Sequence, residues 1–229
     1  MKNIFIAICC LFVVASCTSS PQRASYMTDA PLEQRLNKVR AKQGDPVFIR
    51  IFKEERMLEI WYGKKNGKFK RFTDYPVCYY SGPLGPKKRQ GDKVSPEGFY
   101  KVTRRALNPY SRYYRSFDLG FPNQYDRFKG YTGDYLMVHG DCVSVGCYAM
   151  TDKQMDEIYK LVESSLRGGQ ESVSVHVFPF RMTDARLSRE KNSPHYQFWM
   201  ELKEGYDYFE KYKRVPNVGI SSGKYTIGR

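Results

Sequence analysis

Short apolar runs broken by charged and turn residues mark a β-rich region beginning at Val47. Val47-Phe48-Ile49-Arg50-Ile51-Phe52 and Met57-Leu58-Glu59-Ile60-Trp61-Tyr62 flank the charged Lys53-Glu54-Glu55-Arg56, which predicts a hairpin. Further strands are expected at Tyr75–Tyr80, Gly98–Thr103, Tyr135–His139 and Val173–Phe178. Leu32, Leu36 and Val39 recur at helical spacing, so a short helix is expected before Gly44-Asp45-Pro46. The clearest helix opens at Thr151, with Gln154 completing a capping box. Met155, Ile158, Tyr159, Val162 and Leu166 form its buried stripe, and Gly168-Gly169 stops it. Ser193-Pro194 predicts the cap and first turn of a helix through Leu202, followed by an aromatic-rich piece to Tyr212. Leu107 to Thr132 has no sustained period and is expected to be a loop, hence a candidate substrate lid.

The ends change the picture. Lys2 precedes an apolar run, Ile4 to Val14, too short to span a membrane, which predicts a signal peptide. Val14-Ala15-Ser16-Cys17 resembles the lipobox of bacterial lipoproteins. That resemblance implies cleavage after residue 16 and lipidation of Cys17; an ordinary secretory signal with Cys17 incidental is the rival. Thr18 and Ser19 lack the aspartate associated with inner-membrane retention, so the expected location is the periplasm, lipid-anchored at the outer membrane. Residues 17–31, rich in Ser, Thr and Pro, read as a tether. The 229 residues carry a net charge of +14. An exported lipoprotein does not meet nucleic acid, so the expected attraction is to anionic wall polymer or lipid head groups, or the basic surface has no dedicated partner.

The chemistry concentrates in Val138-His139-Gly140-Asp141-Cys142-Val143-Ser144-Val145-Gly146-Cys147-Tyr148-Ala149-Met150. A cysteine attacks a carbonyl as its thiolate, which calls for a base and for N–H groups aimed at the oxyanion. His139 ends a predicted strand, and the loop after it can return Cys147 to its side. Gly146 lacks a Cβ, so the backbone there can approach a substrate closely. The helix after Thr151 offers the thiolate weak help from its N-terminus. A metal site from His139, Cys142 and Cys147 is the rival, but the paired short intervals of a structural zinc site are missing. His176 is open to an exposed, structural or cleft-lining place, and His195 belongs to a helix start.

The motif resembles the active-site signature of the L,D-transpeptidase catalytic domain (YkuD) family, in its YafK-like subgroup. Gly82-Pro83-Leu84-Gly85-Pro86-Lys87-Lys88, Gly91 to Tyr100 and His176 to Asp184 carry the likeness further. The resemblance implies a β-rich α+β fold: a YkuD-type β-sandwich with peripheral helices over residues 32–180, and a C-terminal extension, 181–229, packed on it. It implies Cys147 as nucleophile, His139 as general base, Gly140 orienting the imidazole, and the Gly146 and Cys147 N–H groups as oxyanion hole. Ser144 reads as a brace for the loop. Tyr79, Tyr80, Ser81, Gly82 and Tyr100 are the implied substrate contacts, with Lys87, Lys88 and Arg89 attracting a stem-peptide carboxylate. No cofactor and no metal are implied. With Cys17 lipidated and Cys147 reactive, Cys78 and Cys142 are left to pair, though two buried thiols or a Cys142–Cys147 bond remain open. The implied partners are peptidoglycan stem peptides and a wall-linked lipoprotein. The implied reaction is thiol-mediated acyl transfer at the L-centre carbonyl of meso-diaminopimelate, leaning to hydrolysis. Transpeptidation forming 3–3 crosslinks or attaching lipoprotein is the alternative, and a non-catalytic wall-binding lipoprotein or a general protease is the rival of another class. Many members have Ser-His-Gly-Cys followed by an apolar residue and Arg; here Val145 and Tyr148-Ala149 depart from that pattern.

Overall fold

The computed structural model describes residues 30–64 and 66–228; the expected leader, Cys17 and the tether through residue 29 lie outside them. In chain order the elements are α1 (Leu32–Lys38), β1 (Val47–Phe52), β2 (Met57–Gly63), β3 (Phe69–Pro76), β4 (Tyr79–Tyr80), β5 (Gly98–Val102), β6 (Leu107–Ser111), β7 (Tyr114–Asp118), α2 (Gln124–Phe128), β8 (Met137–His139), β9 (Tyr148–Ala149), α3 (Asp152–Arg167), β10 (Val173–Phe178), α4 (Asp184–Leu187), α5 (Tyr196–Tyr212), β11 (Asn217–Ser221) and β12 (Lys224–Gly228). One five-stranded sheet runs β3-β2-β1-β10-β5 and the other β4-β9-β8-β7-β6, with β11 and β12 as a separate hairpin.

Strand alternation sorts the first sheet into two faces. Ile49 lies opposite Ile60 on β2 and Val175 on β10. With Val47, Ile51, Leu58 and Val177 these side chains enter a core shared with Phe117, Val138 and Tyr148 of the second sheet and with Met155, Ile158 and Val162 of α3. Each such burial contributes roughly 1.5–3 kcal/mol. The α3 capping box forms, with Thr151 accepting from the Gln154 N–H and Gln154 accepting from the Thr151 N–H.

The opposite face carries Phe48, Arg50 and Phe52 beside His176 and Phe178, and α5 covers much of it. Phe209 packs 4.7 Å from Phe48 and 4.9 Å from Trp61, ring to ring. Arg50, buried there, pairs with Glu59 at 2.8 Å and Glu210 at 2.6 Å. A second buried pair joins the layers. Lys53 and Glu97 are both fully buried and 2.9 Å apart. Lys53 Nζ also donates to the Pro83 and Ser95 carbonyls, and Glu97 accepts from Gly85 N and from Trp199 Nε1 of α5.

Three expectations change and one element is new. Leu107–Thr132 is not one long loop but holds β6, β7 and α2, the last with its own capping box from Asn123 and Asp126. Tyr75–Tyr80 is not one strand: β3 stops at Pro76 and the chain changes sheets before β4. Ser193 and Pro194 lie before α5, whose N-cap is His195, and the helix runs unbroken to Tyr212. The β11–β12 hairpin was not anticipated.

Burial pushes the Asp126 carboxyl up to about 7, against the opposing pull of the Asn123 N–H. The unfolded chain releases that proton near pH 3.9, roughly. The folded state therefore binds it more tightly, and stability falls as pH rises from about 4 to about 7. The denaturant midpoint is expected to drop across that window in the wild type, and a midpoint series on Asp126→Asn should lose this component of the slope.

Candidate active site

His139 ends β8, and Cys147 immediately precedes β9, the parallel neighbour of β8. In the pairing of β8 with β9, Val138 lies opposite Tyr148 and His139 opposite Ala149. Parallel neighbours usually need a long crossover, yet residues 140–147 close this one by turning through Asp141 and Cys142, both at positive φ (65° and 52°). Three contacts pin the turn. A disulfide joins Cys142 to Cys78, Cα to Cα 5.3 Å; Asp141 N donates to Asp152 Oδ1 at 2.8 Å; and Cys142 N donates to the Met150 carbonyl at 3.1 Å. Of the three states left open by the sequence, the structure has the Cys78–Cys142 bond, which also commits the Cys142 sulfur away from any metal. Gly140 is required where it stands, because a Cβ there would lie 2.5 Å from Asp152 Oδ1.

The His139 ring is buried, 2 % exposed. Its Nδ1 lies 2.6 Å from the Gly140 carbonyl. A carbonyl only accepts, so Nδ1 carries the proton and Nε2 keeps its lone pair. Burial holds the imidazole below its ordinary value, against the Gly140 carbonyl and Asp141. Tyr113 covers the ring at 4.9 Å.

Cys147 is the free cysteine of the described residues. Its Sγ accepts from Met137 N at 3.4 Å and lies 3.5 Å from the Tyr135 carbonyl, to which the thiol donates. Burial pushes the thiol up, against the Met137 N–H, and Asp118 adds to the rise. Burial thus acts on both groups in favour of their neutral forms. Among the described residues no hydrogen bond joins His139 to Cys147. Such bonds often tighten only with substrate in place.

Both expected oxyanion donors already have partners. Gly146 N donates to Ser81 Oγ at 2.6 Å, and Cys147 N donates to Ser144 Oγ at 2.8 Å. A substrate oxygen must displace these hydroxyls to use the two N–H groups. The Ser144 contact is the brace anticipated for it.

The substrate-contact expectations divide. Tyr79 and Tyr80 lie on β4, opposite Ala149 and Tyr148 of β9, with Ser81 and Gly82 following. Tyr79 is exposed, whereas Tyr100 is sealed in the core with its hydroxyl donating to the Glu97 carbonyl. Tyr100 therefore does not reach the cleft, because its position on β5 points between the sheets. Lys87 is also withdrawn: it is buried and bonded to Asp92 at 2.6 Å. Lys88 and Arg89 remain exposed, their backbone N–H groups held by Asp92 Oδ2. Reasoning from sequence missed Tyr113, Asp118 and Asp152 as neighbours of the pair. It also gave no individual role to Ser95, whose Oγ bonds the Cys147 carbonyl at 3.0 Å and accepts from Ser81 N.

The model of the L,D-transpeptidase catalytic domain, YkuD, matches residues 46–185. The chain belongs to the YkuD L,D-transpeptidase family. Within it, the chain is 53% identical over 186 residues to the Escherichia coli K12 protein named "Putative L,D-transpeptidase YafK", covering 81% of this chain and 75% of that one. Among solved structures it is similar to the helical cell shape determining protein Pgp2 of Campylobacter jejuni (17% identity, 82% and 79% of the two chains, TM-score 0.46). A further match is Bd1075 of Bdellovibrio bacteriovorus (16% identity, 78% of each chain, TM-score 0.43). As a YkuD L,D-transpeptidase-family protein it is an enzyme of peptidoglycan, on which the family acts in the periplasm. No helix among the described residues is long and apolar enough to cross a membrane.

Removing the Cys78–Cys142 bond frees the turn that carries His139 and Cys147 toward each other. Cys78→Ser/Cys142→Ser is expected to lower unfolding stability by about 2–4 kcal/mol, read as a lower denaturant midpoint relative to the oxidised wild type.

Proposed function

We propose that the enzyme is a cysteine-dependent peptidoglycan hydrolase that detaches wall-linked lipoprotein. The Cys147 thiol gives its proton to His139 Nε2 as its sulfur attacks the L-centre carbonyl of meso-diaminopimelate. That proton then leaves with the departing amine, and a thioester forms. Water opens the thioester, restoring the thiol and releasing the carboxylate. The observation that carries this reading is the locked tautomer: Nδ1–H held by the Gly140 carbonyl, on a strand paired with the one that Cys147 leads into. Burial pushes the thiol up and the imidazole down, which favours base and nucleophile acting together at the moment of attack over a standing thiolate–imidazolium pair.

Water as acceptor is favoured by what stands where many family members have an arginine. Tyr148 is buried with its hydroxyl on the Pro96 carbonyl at 2.7 Å, and Ala149 is buried in β9, so neither offers a cation to grip an acceptor stem. A lipid anchor at Cys17 and a periplasm-facing place at the outer membrane belong to the same proposal.

Mass spectrometry after incubating residues 18–229 with sacculi carrying bound lipoprotein, and separately with tetrapeptide muropeptides, tests it. Lipoprotein release without crosslinked dimers is expected, reduced at least about a thousandfold in Cys147→Ala. Dimers or amine-exchanged stems would assign a transpeptidase, and the absence of any Cys147-dependent product would assign a wall-binding protein. In the pH profile of kcat/KM, the acid limb is expected below the ordinary imidazole value of about 6.5, since activity is lost only when His139 takes a proton. Alkylation of Cys147 in the free enzyme is expected to stay slow until pH exceeds about 8.5.

A further inference from the structure

A cavity of about 360 Å³ lies on the far face of the first sheet, between the β10–β5 edge, α2 and the β11–β12 hairpin. None of its lining residues belongs to the thiol site. Its floor holds His176, 2 % exposed, whose ring is fixed edge-on by Phe48 and Phe99 at 4.7 and 4.6 Å. Nδ1 of this ring has no hydrogen-bond partner among the described residues. An unmatched polar atom at this depth is costly unless something pairs with it.

The remaining walls define what the cavity could hold. Tyr125 and Tyr225, stacked at 4.3 Å, supply an aromatic side. Gln124 and Asn217 at the rim are exposed amides able to donate and to accept. The charged lining residues are Lys101 and Arg127, both exposed and both cations, and no carboxylate lines the cavity. Neither cation is engaged in an ion pair among the described residues; Arg127 is bonded to the Pro122 carbonyl. Lys101 lies opposite Ser174 and Phe99 opposite His176, so one cation, one hydroxyl, the orphan imidazole and an aromatic ring share a single sheet face. The volume falls within the range of small-ligand sites.

We propose that this cavity is a second, non-catalytic binding site for a compact carboxylate-bearing ligand, its anion met by Lys101 and Arg127 and its polar body by His176 and the rim amides. The carboxylate could come from a free small acid or from a peptidoglycan stem peptide; the latter source rests on the wall-acting reading, the site itself does not. His176 serves as a neutral hydrogen-bonding group, since burial, with Arg50 and Lys101 nearby, pushes its imidazole down to about 3.

The test uses Cys147→Ala protein, so that binding is read without turnover. N-acetylmuramic acid, N-acetylglucosamine and a stem tetrapeptide are titrated while the His176 ring resonances are followed by NMR. N-acetylmuramic acid is expected to shift them saturably, with N-acetylglucosamine, which lacks the carboxylate, at least about tenfold weaker. Lys101→Glu and Arg127→Glu, both at exposed positions, are each expected to weaken the acid about tenfold or more. Tighter binding of the tetrapeptide would assign the polymer as source, and tighter binding of the sugar acid a free small acid. Equal affinity for the two sugars, an unmoved His176 ring, or full binding in both charge-reversed variants would overturn the proposal. Lipoprotein release by the wild type is a separate readout, so loss of one conclusion leaves the other standing.

Discussion

The buried Lys53–Glu97 pair is the contact on which the active-site wall depends. Neither side chain touches solvent, so each charge relies on the other and on the surrounding carbonyl and N–H groups. Removing one partner of such a pair typically costs about 3–5 kcal/mol, because the other is left uncompensated. Here the consequence is also directional. Lys53 holds the Ser95 carbonyl, Ser95 Oγ holds the Cys147 carbonyl, and Tyr148 fastens to the Pro96 carbonyl. The peptide bearing Cys147 is thus tied, two bonds away, to a buried charge.

A second constraint acts from the other side. The parallel pairing of β8 with β9 through a short turn is unusual, and it is held by the disulfide, by Asp152 and by residues at positive φ. The turn thereby brings His139 at the end of β8 and Cys147 just before β9 into one neighbourhood without a hydrogen bond between them. The N–H groups of Gly146 and Cys147 are similarly satisfied by Ser81 and Ser144. The resting site has its polar groups paired internally, and substrate must exchange those pairings for its own.

What the sequence reveals follows from how each element is stabilised. β1, β2 and β10 and the α3 stripe were legible because their apolar period faces a core. β6 was not, since most of its residues face solvent and it lies at a sheet edge, where pairing rather than burial holds it. α5 was expected to stop near Leu202, yet it continues through Gly205, over which the Phe99 ring packs closely. The His139–Cys147 neighbourhood was readable from one contiguous motif. Tyr100 and Lys87 were misjudged because alternation alone does not say which face of β5 meets the cleft, nor that Asp92 would claim the lysine.

Trp199 of α5 completes the Glu97 pairing from outside the segment matched by the family model. The boundary of the recognisable domain is therefore not a physical seam. Excising residues 46–185 would leave a buried carboxylate short of a donor, Arg50 short of Glu210, and an aromatic sheet face bare to water. A different tail would have to supply a hydrogen bond to the interior as well as a cover for the sheet.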